Sequence, residues 1–260
     1  MNRNRTAVST VALALLCAGF AVGPMAGTSA AAPATGAKAR VGADWETQSI
    51  VFTAAPGQTN DLSIYPMYTS DGISRIGFSD VVPLSPGEHC AYARAEDTTA
   101  VVCELPVDGA RPGRIDVFLG DGDDTIAAFT PGMNTVSGGA GDDELHAHTA
   151  RTVLGGAGDD MVMGPGTLYG GNGMDHLMGD NGNQRMWGGR GDDMIEGYGG
   201  DDTVYAGPGD DHVMGGDGRD ILFGGSGDDL VHGEGGDDFV CGGTGKDALD
   251  GGDGRDLVLP

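Results

Sequence analysis

Positive charge is scarce in this chain. Its 260 residues include 14 Lys and Arg against 39 Asp and Glu, which gives a formal net charge of −25. An acidic balance of this size argues against nucleic acids and anionic membrane surfaces as partners, because both would be repelled. Most of the negative charge lies after Leu119, so the charge belongs to the C-terminal half.

Long apolar runs are missing beyond the first residues of the chain. The one such run, residues 7–22, follows two arginines and precedes a stretch of small residues, which is the pattern of a secretory signal peptide over residues 1–30. Cleavage is expected after Ala30, with Ala32 as the poorer choice, and a retained transmembrane anchor is the alternative. The processed chain is expected to be secreted and to have no membrane span.

The motifs of common secreted hydrolases are also missing. There is no H-E-x-x-H zinc motif, and His146 and His148 are separated by a single residue. There is no G-x-S-x-G motif, since Ser226 lies in a loop rich in Gly and Asp. We therefore predict no enzyme and no catalytic residue, although an exoenzyme with its pocket in residues 44–118 is a third possibility.

Cysteine is limited to four residues. Cys90 and Cys103 flank a predicted hairpin, and in an oxidising compartment we expect a disulfide between them. Two unpaired thiols are the alternative. Cys241 is the odd residue and is expected to be an unpaired, packed thiol without a catalytic role.

Glycine is abundant, with 50 residues, and most of it belongs to a repeat. Ten consecutive nine-residue units run from Gly170 to Leu259. Position four is always Gly, position eight is always apolar, and position six is Asp in every unit except the second, which has Gln184. A fixed period of this kind is the signature of a repeat architecture.

The composition of each unit predicts a turn followed by a short strand. Six Gly-rich residues can reach the positive φ angles of a tight turn, and the next three centre on one apolar side chain. Two units would make one turn of a flattened coil, so that position-six carboxylates stack about 4.8 Å apart. Two such charges repel by roughly 3 to 4 kcal/mol at an effective dielectric constant near 20, so a cation is needed between them.

Calcium fits this role better than magnesium, because it accepts six to eight oxygen ligands in a flexible geometry. The unit G-G-x-G-x-D-x-U-x, with U apolar, resembles the repeat of the RTX (repeats-in-toxin) calcium-binding family. The resemblance implies an all-β fold, a parallel β-roll, with calcium as the cofactor between its turns. One apolar side chain per unit is little to stabilise an ordered chain, so we expect folding to be coupled to calcium binding.

The position-six carboxylates are the predicted metal ligands. Three further units at residues 119–127, 138–146 and 155–163 are separated by irregular spacers, and we expect weaker sites there. Within the regular array, five loops on each edge give at most eight gaps, and Gln184 should weaken only the end site of its edge. The predicted ligands are Asp124, Asp143, Asp160, Asp175, Asp193, Asp202, Asp211, Asp220, Asp229, Asp238, Asp247 and Asp256.

The remaining chain divides into a linker over residues 31–43, a β-rich cap over residues 44–118 and the β-roll over residues 119–260. Short β-rich runs at residues 49–53, 62–65, 73–78, 99–105 and 114–119 predict the strands of the cap. The last of them enters the first repeat without a break, so the cap should cover the first turn. This front end resembles that of actinobacterial secreted RTX-type calcium-binding proteins.

Two functions from different classes fit these observations. The first is a secreted, non-enzymatic calcium-binding protein whose metal holds a rigid acidic rod. The alternative is a calcium-dependent adhesion module that binds an extracellular protein or polysaccharide through Trp187, Tyr205, Phe223 and Phe239. Aromatic rings exposed in one row would favour the second function, whereas rings tucked into the core would favour the first.

Overall fold

Two long β-sheets make up the molecule. The computed structural model describes residues 38–67, 73–106 and 113–260, so the predicted signal peptide lies outside the described residues. These residues form 24 strands, numbered in chain order, in two sheets of twelve strands each. The all-β prediction is confirmed, and the part of the chain that is described contains no helix long and apolar enough to cross a membrane.

Sheet A contains one strand from each turn of the coil and ends in strands of the N-terminal segment. In spatial order it consists of β24 (Leu257–Leu259), β22 (Phe239–Thr244), β20 (Ile221–Ser226), β18 (Thr203–Pro208), β16 (Arg185–Arg190), β14 (Thr167–Asn172), β12 (Thr152–Ala157), β10 (Met133–Ala140), β8 (Arg114–Asp121), β2 (Ser49–Thr53), β1 (Ala39–Asp44) and β5 (Leu84–Pro86).

Sheet B has the same layout on the opposite side of the core. In spatial order it consists of β23 (Ala248–Asp250), β21 (Leu230–Gly235), β19 (His212–Asp217), β17 (Met194–Glu196), β15 (His176–Met178), β13 (Met161–Met163), β11 (Glu144–His146), β9 (Thr125–Ala128), β3 (Asp61–Met67), β4 (Ile73–Ser79), β7 (Asp97–Pro106) and β6 (Cys90–Arg94).

The register of the strands confirms the parallel β-roll. In the regular array, each strand pairs in parallel with the strand 18 residues later, as Val204 does with Leu222 in sheet A and Val213 with Val231 in sheet B. Two nine-residue units therefore make one turn. Because side chains alternate between the two faces of a strand, position eight points inward while positions seven and nine point outward.

The core is a ladder of position-eight side chains between the sheets. Leu177, Ile195 and Val213 of sheet B and Val204 and Leu222 of sheet A are fully buried. At the far end of the roll the burial decreases, and Val258 is 40% exposed. Each turn therefore contributes few apolar side chains to the core between the sheets.

The N-terminal segment continues both sheets. β2 pairs in parallel with β8, and β3 pairs in parallel with β9. Beyond these first rungs the pairing is antiparallel between β1 and β2, between β3 and β4, and between β7 and both β4 and β6, while β5 pairs in parallel with β1 at the end of sheet A. The change of direction ends the parallel stack and covers the apolar side chains of the first turn.

The structure corrects two details of the sequence analysis. Residues 39–43, assigned to a linker, belong to β1, where Ala39, Val41 and Ala43 are buried. The sequence did not reveal the alternation of buried and exposed residues in this strand, because alanine is only weakly apolar. The predicted disulfide between Cys90 and Cys103 is confirmed, and these residues lie directly opposite each other on β6 and β7. The expectation of an unpaired Cys241 is wrong, because no described cysteine is free.

Candidate metal centre

The Gly-rich turns form two edges of unequal length. The long edge contains eight loops, whose position-six residues are Asp124, Asp143, Asp160, Asp175, Asp193, Asp211, Asp229 and Asp247. The short edge contains five loops, whose position-six residues are Gln184, Asp202, Asp220, Asp238 and Asp256. The three units with irregular spacers all belong to the long edge, because each spacer provides the turn on the opposite side.

Positive φ angles shape every loop at its second and fourth positions, except the loop that begins at Gly179. In the unit that begins at Gly188, Gly189 has φ 124° and Gly191 has φ 118°. A Cβ on Gly191 would collide with the carbonyl oxygen of Gly173 in the preceding turn. Glycine at position four is therefore needed both for the turn and for the close approach of successive loops.

One oxygen of each position-six carboxylate binds the backbone of the preceding loop on its edge. The N–H of Asp175 donates to Oδ1 of Asp193 at 2.9 Å, and the N–H of Asp202 donates to Oδ1 of Asp220 at 2.7 Å. Seven such bonds follow one another on the long edge, and four on the short edge. Each gap between loops is thus spanned by one of these bonds.

The other oxygen of these carboxylates is buried and has no hydrogen-bond partner. This holds for Oδ2 of Asp124, Asp143, Asp160, Asp175, Asp193, Asp202, Asp211, Asp220, Asp229 and Asp238. An ionised oxygen buried without a partner is costly, since a charge removed from water needs a hydrogen-bond donor or a cation. The repetition of the same unpaired atom in every interior loop indicates a common ligand rather than a local defect.

Backbone oxygens converge on the same place. A Cβ built on Gly215, at position one of its unit, would lie 2.5 Å from Oδ2 of Asp220 and 2.8 Å from the carbonyl oxygen of Gly233 in the next turn. The absence of a side chain at position one therefore leaves room where a carboxylate oxygen and a carbonyl oxygen meet. Ala206 is the one residue with a side chain at position one of the regular array.

Burial raises the pKa of these carboxyls above the ordinary value of 3.8, and the hydrogen bond from the neighbouring N–H only partly opposes it. The pKa is about 8 for Asp193. It is about 7 for Asp124, Asp160, Asp202 and Asp211, and about 6 for Asp143, Asp175 and Asp220. It is also raised for Asp229 and Asp238. Without a bound cation, the folded chain therefore disfavours the ionised form of these side chains.

The donors present fit calcium. No three His, Cys, Asp or Glu side chains converge on one point among the described residues, so backbone carbonyls must complete a metal site at these carboxylates. A mixed set of carboxylate and carbonyl oxygens is the set that calcium prefers. Position-six carboxylates would bind the ion through Oδ2, while the carbonyl oxygens of position-one residues, such as Gly233, would provide neutral ligands.

The predicted ligands differ in how completely the structure surrounds them. Asp124, Asp143 and Asp160 of the irregular units have the same buried, unpaired Oδ2 as the regular units, but the unit of Asp124 has Leu119 at position one, where most regular units have glycine. That their sites are weaker stays a prediction. Asp247 and Asp256 belong to the last loop of each edge and are only half-buried. These two provide the least enclosed ends of the rows.

Gln184 begins the short edge, as the sequence suggested. Its Nε2 donates to Oδ1 of Asp180 at 2.6 Å, and its Oε1 is buried without a partner. The amide therefore occupies the place of a carboxylate without its charge. The gap between Gln184 and Asp202 retains one ionised side chain, which should weaken cation binding there alone.

Sequence reasoning missed the role of position five. Oδ1 of Asp210 accepts the N–H of Asp228 at 2.7 Å, and Oδ1 of Asp228 accepts the N–H of Lys246 at 2.9 Å. These carboxylates are exposed and bind the following loop, whereas position-six carboxylates bind the preceding one. The recurrence of Asp at position five was the available signal. Asn60 was also missed, and its N–H donates to Oδ1 of Asp124 at 2.6 Å from the cap.

Comparison with known proteins agrees with this geometry. The RTX calcium-binding nonapeptide repeat, as a family model of four copies, matches residues 130–149, 167–186, 178–213, 205–240, 214–249 and 223–258. No curated protein sequence matches the chain. The loops within these ranges, which carry most of the buried carboxylates, are therefore RTX calcium-binding nonapeptide repeats, whereas the loops of Asp124 and Asp160 lie outside the matched residues.

Proposed function

We propose that this protein is a secreted, non-enzymatic calcium-binding protein whose β-roll folds as calcium binds along its two edges. The observation that carries the proposal is the row of buried, unpaired Oδ2 atoms at position six. In water these carboxylates are ionised and separated, whereas in the roll they are buried beside one another. Calcium between the loops offsets both the lost hydration and the mutual repulsion.

Coupling between binding and folding follows from where the ligands come from. Each gap combines oxygens of two loops that are about 18 residues apart in the chain, as with Asp220 and Gly233. An unfolded chain cannot hold these oxygens together, so a preformed site exists only in the folded roll. Calcium that binds the folded chain but not the unfolded one stabilises the fold by mass action.

An extracellular location suits this mechanism. Calcium is abundant outside cells, so weak sites can be filled there. A disulfide between Cys90 and Cys103 is consistent with an oxidising compartment. The predicted signal peptide supplies the export route. The protein would then remain unfolded and flexible during export and become a rigid acidic rod after it.

The aromatic residues lie in one row on the outer face of sheet A and not in the core, which by the criterion above favours the adhesion module. Their stacking on one another is the observation that supports a structural role instead. On the outer face of sheet A, Tyr169, Trp187, Tyr205 and Phe223 stack with ring centroids 4.8, 5.6 and 4.9 Å apart and interplanar angles of 12°, 14° and 3°. Each ring covers the face of the next, so the faces on which a sugar would stack are occupied within the row. The row therefore acts as a ladder that stabilises the sheet.

A calcium titration of the purified chain, followed by far-UV circular dichroism, tests the proposal. The starting sample is metal-free, and magnesium at the same concentrations is the control, since it demands a stricter octahedral geometry. We expect strand signal to appear cooperatively with calcium and not with magnesium. A chain that is fully folded in chelator would contradict folding on binding and leave calcium as an accessory ligand.

A further inference from the structure

The outer face of sheet B has a composition unlike that of the loops. Its central patch consists of Met161, Met163, His176, Met178, Met194 and Glu196, contributed by the three neighbouring strands β13, β15 and β17. Four of the chain's 11 methionines lie in this patch. Met161 is 37% exposed and Met194 is 39% exposed, so neither is used in the core.

The strand register places the imidazole between two thioethers. Met161 pairs with His176, and His176 pairs with Met194, in one outward-facing column. Directly opposed side chains on adjacent strands have Cβ atoms roughly 4.5 to 5.5 Å apart. Methionine is unbranched and flexible, so both thioether sulfurs can reach the imidazole from opposite sides.

The ring nitrogen of His176 is not engaged in a hydrogen bond. Its Nε2 is buried and has no hydrogen-bond partner, and the nearest carboxylate oxygen, Oε1 of Glu196, lies 3.7 Å away. By contrast, Nε2 of His146 on the same face lies 2.6 Å from Oε1 of Glu144. An unpaired nitrogen is costly when buried, and His176 lies between Met161 and Met194 in its column.

A depression beside the patch leaves it open to solutes. It has a volume of about 280 Å³ and is lined by Met163, Met178, Asp180 and Tyr198, together with two other loop residues. Met163 and Met178 pair across β13 and β15 in the second outward-facing column of the patch. A small ion can therefore approach Met163 and Met178 from the side of the short edge, while the exposed Met161 and Met194 are reached directly from solvent.

We propose that this patch binds a soft monovalent cation, Cu(I), through Nε2 of His176 and the thioether sulfurs of Met161 and Met194. Thioethers are soft ligands that select Cu(I), and imidazole also binds copper, whereas calcium is bound by hard oxygen donors. The chain thus carries two kinds of metal site on separate surfaces. The oxygen-lined edges take calcium, and the outer face of sheet B takes the soft ion.

Titration with Ag(I) tests the proposal, because Ag(I) is also a soft monovalent cation and does not require a reductant. The calcium-saturated protein is titrated with silver nitrate in chloride-free buffer and followed by calorimetry, so that the carboxylate loops are already filled. Three variants are compared with the wild type. They are the double variant Met161→Leu with Met194→Leu, the single variant His176→Gln, and the control Met174→Leu, which removes an exposed thioether from a loop of the long edge.

We expect the wild type and Met174→Leu to bind Ag(I) alike, and the double variant and His176→Gln to lose one equivalent or to bind it at least about tenfold more weakly. In wild-type protein with labelled methionine methyl groups, Ag(I) should shift the resonances of Met161 and Met194 but not that of buried Met186. This second measurement needs no variant to fold. Equal binding by the double variant, methyl shifts confined to Met174, or no Ag(I) binding would overturn the proposal.

Discussion

The backbone N–H of Asp193 donates a hydrogen bond to Oδ1 of Asp211 at 2.8 Å, one turn further along the long edge. Oδ2 of the same Asp211 is buried and has no partner. One carboxylate thus holds two loops together with one oxygen and presents the other to the gap. The carboxylate at position six therefore has two roles, as the acceptor of a hydrogen bond and as a negative charge. A substitution that keeps the acceptor and removes the charge tests the two roles separately.

Replacement of Asp193 by Asn should have opposite effects with and without calcium. Asn keeps the Oδ1 that accepts the N–H of Asp175, but it removes the buried charge. We expect Asp193→Asn to raise the melting temperature in chelator and to weaken calcium binding at the adjacent gaps by about tenfold, about 1.4 kcal/mol. Thermal melts in chelator and in calcium, together with calcium titrations, provide the measurement.

Asp192→Asn is the matched control, since Asp192 lies at position five of the same loop, where its side chain is exposed. Its Oδ1 accepts the N–H of Asp210 at 2.9 Å, and Asn can accept this bond as well. We expect Asp192→Asn to change the melting temperature only slightly, both in chelator and in calcium. Equal effects of the two substitutions would contradict the assignment of position six as the ligand.

The metal-free roll should lose stability as the pH rises. In the folded chain, burial raises the pKa of Asp193 to about 8, and that of Asp211 to about 7, from an ordinary 3.8. A raised pKa means that the protonated form favours folding, so this contribution is present at low pH and is lost as the pH rises through about 6 to 8. Melting temperatures in chelator should therefore be higher near pH 5.5 than near pH 8.

With saturating calcium the decrease of stability with rising pH should weaken or reverse. Calcium binds the ionised carboxylates, so its affinity increases as they lose protons. Melts at several pH values with and without calcium make the comparison. A metal-free chain whose stability rises steadily from pH 5.5 to pH 8 would show that the buried carboxyls do not govern its folding.

Alanine at position one should block a cation site without straining the backbone. Gly215 does not have a positive φ, but a Cβ there would lie 2.5 Å from Oδ2 of Asp220. We expect Gly215→Ala to weaken calcium binding on the short edge by about tenfold or more. Gly199→Ala is the control on the same edge, because its Cβ would come no closer than 3.6 Å to its neighbours.

The converse substitution is available at Ala206, where the natural chain already carries a methyl group at position one. We expect Ala206→Gly to strengthen calcium binding beside Asp211. Calcium titrations of the three variants would show whether the space at position one belongs to the calcium site. If Gly215→Ala and Gly199→Ala bound calcium equally well, the space at position one would not be part of the site.

Glycine at residue 234 should stabilise the roll. Glu234 lies at position two of its unit with φ 73°, a conformation that costs a residue with a Cβ roughly 1 to 2 kcal/mol. We expect Glu234→Gly to raise stability by about 1 kcal/mol in calcium, measured by chemical denaturation. Glu234→Ala keeps the Cβ and should give little gain, so a similar gain from both variants would indicate that the carboxylate, not the backbone, was responsible.

The sequence by itself determined the parallel β-roll, because three features recur along the array. Gly at position four allows the turn, the apolar residue at position eight forms the core, and Asp stands at position six in every regular unit except that of Gln184. The strands of the cap at residues 49–53 and 114–119 could also be predicted, since they are rich in β-branched and aromatic residues. The disulfide followed from the predicted hairpin.

Only the tertiary structure decided how the repeats are distributed. The spacers before Gly138, Gly155 and Gly170 differ in length, so the sequence period could not show that they all form turns on one side and leave eight loops on the long edge. Nor could it show that each carboxylate bonds backward with Oδ1 and leaves Oδ2 unpaired, because that depends on oxygens and N–H groups of the neighbouring turn. These contacts join residues that the coil brings together across 15 to 19 positions of chain, and local pattern carries no information about them.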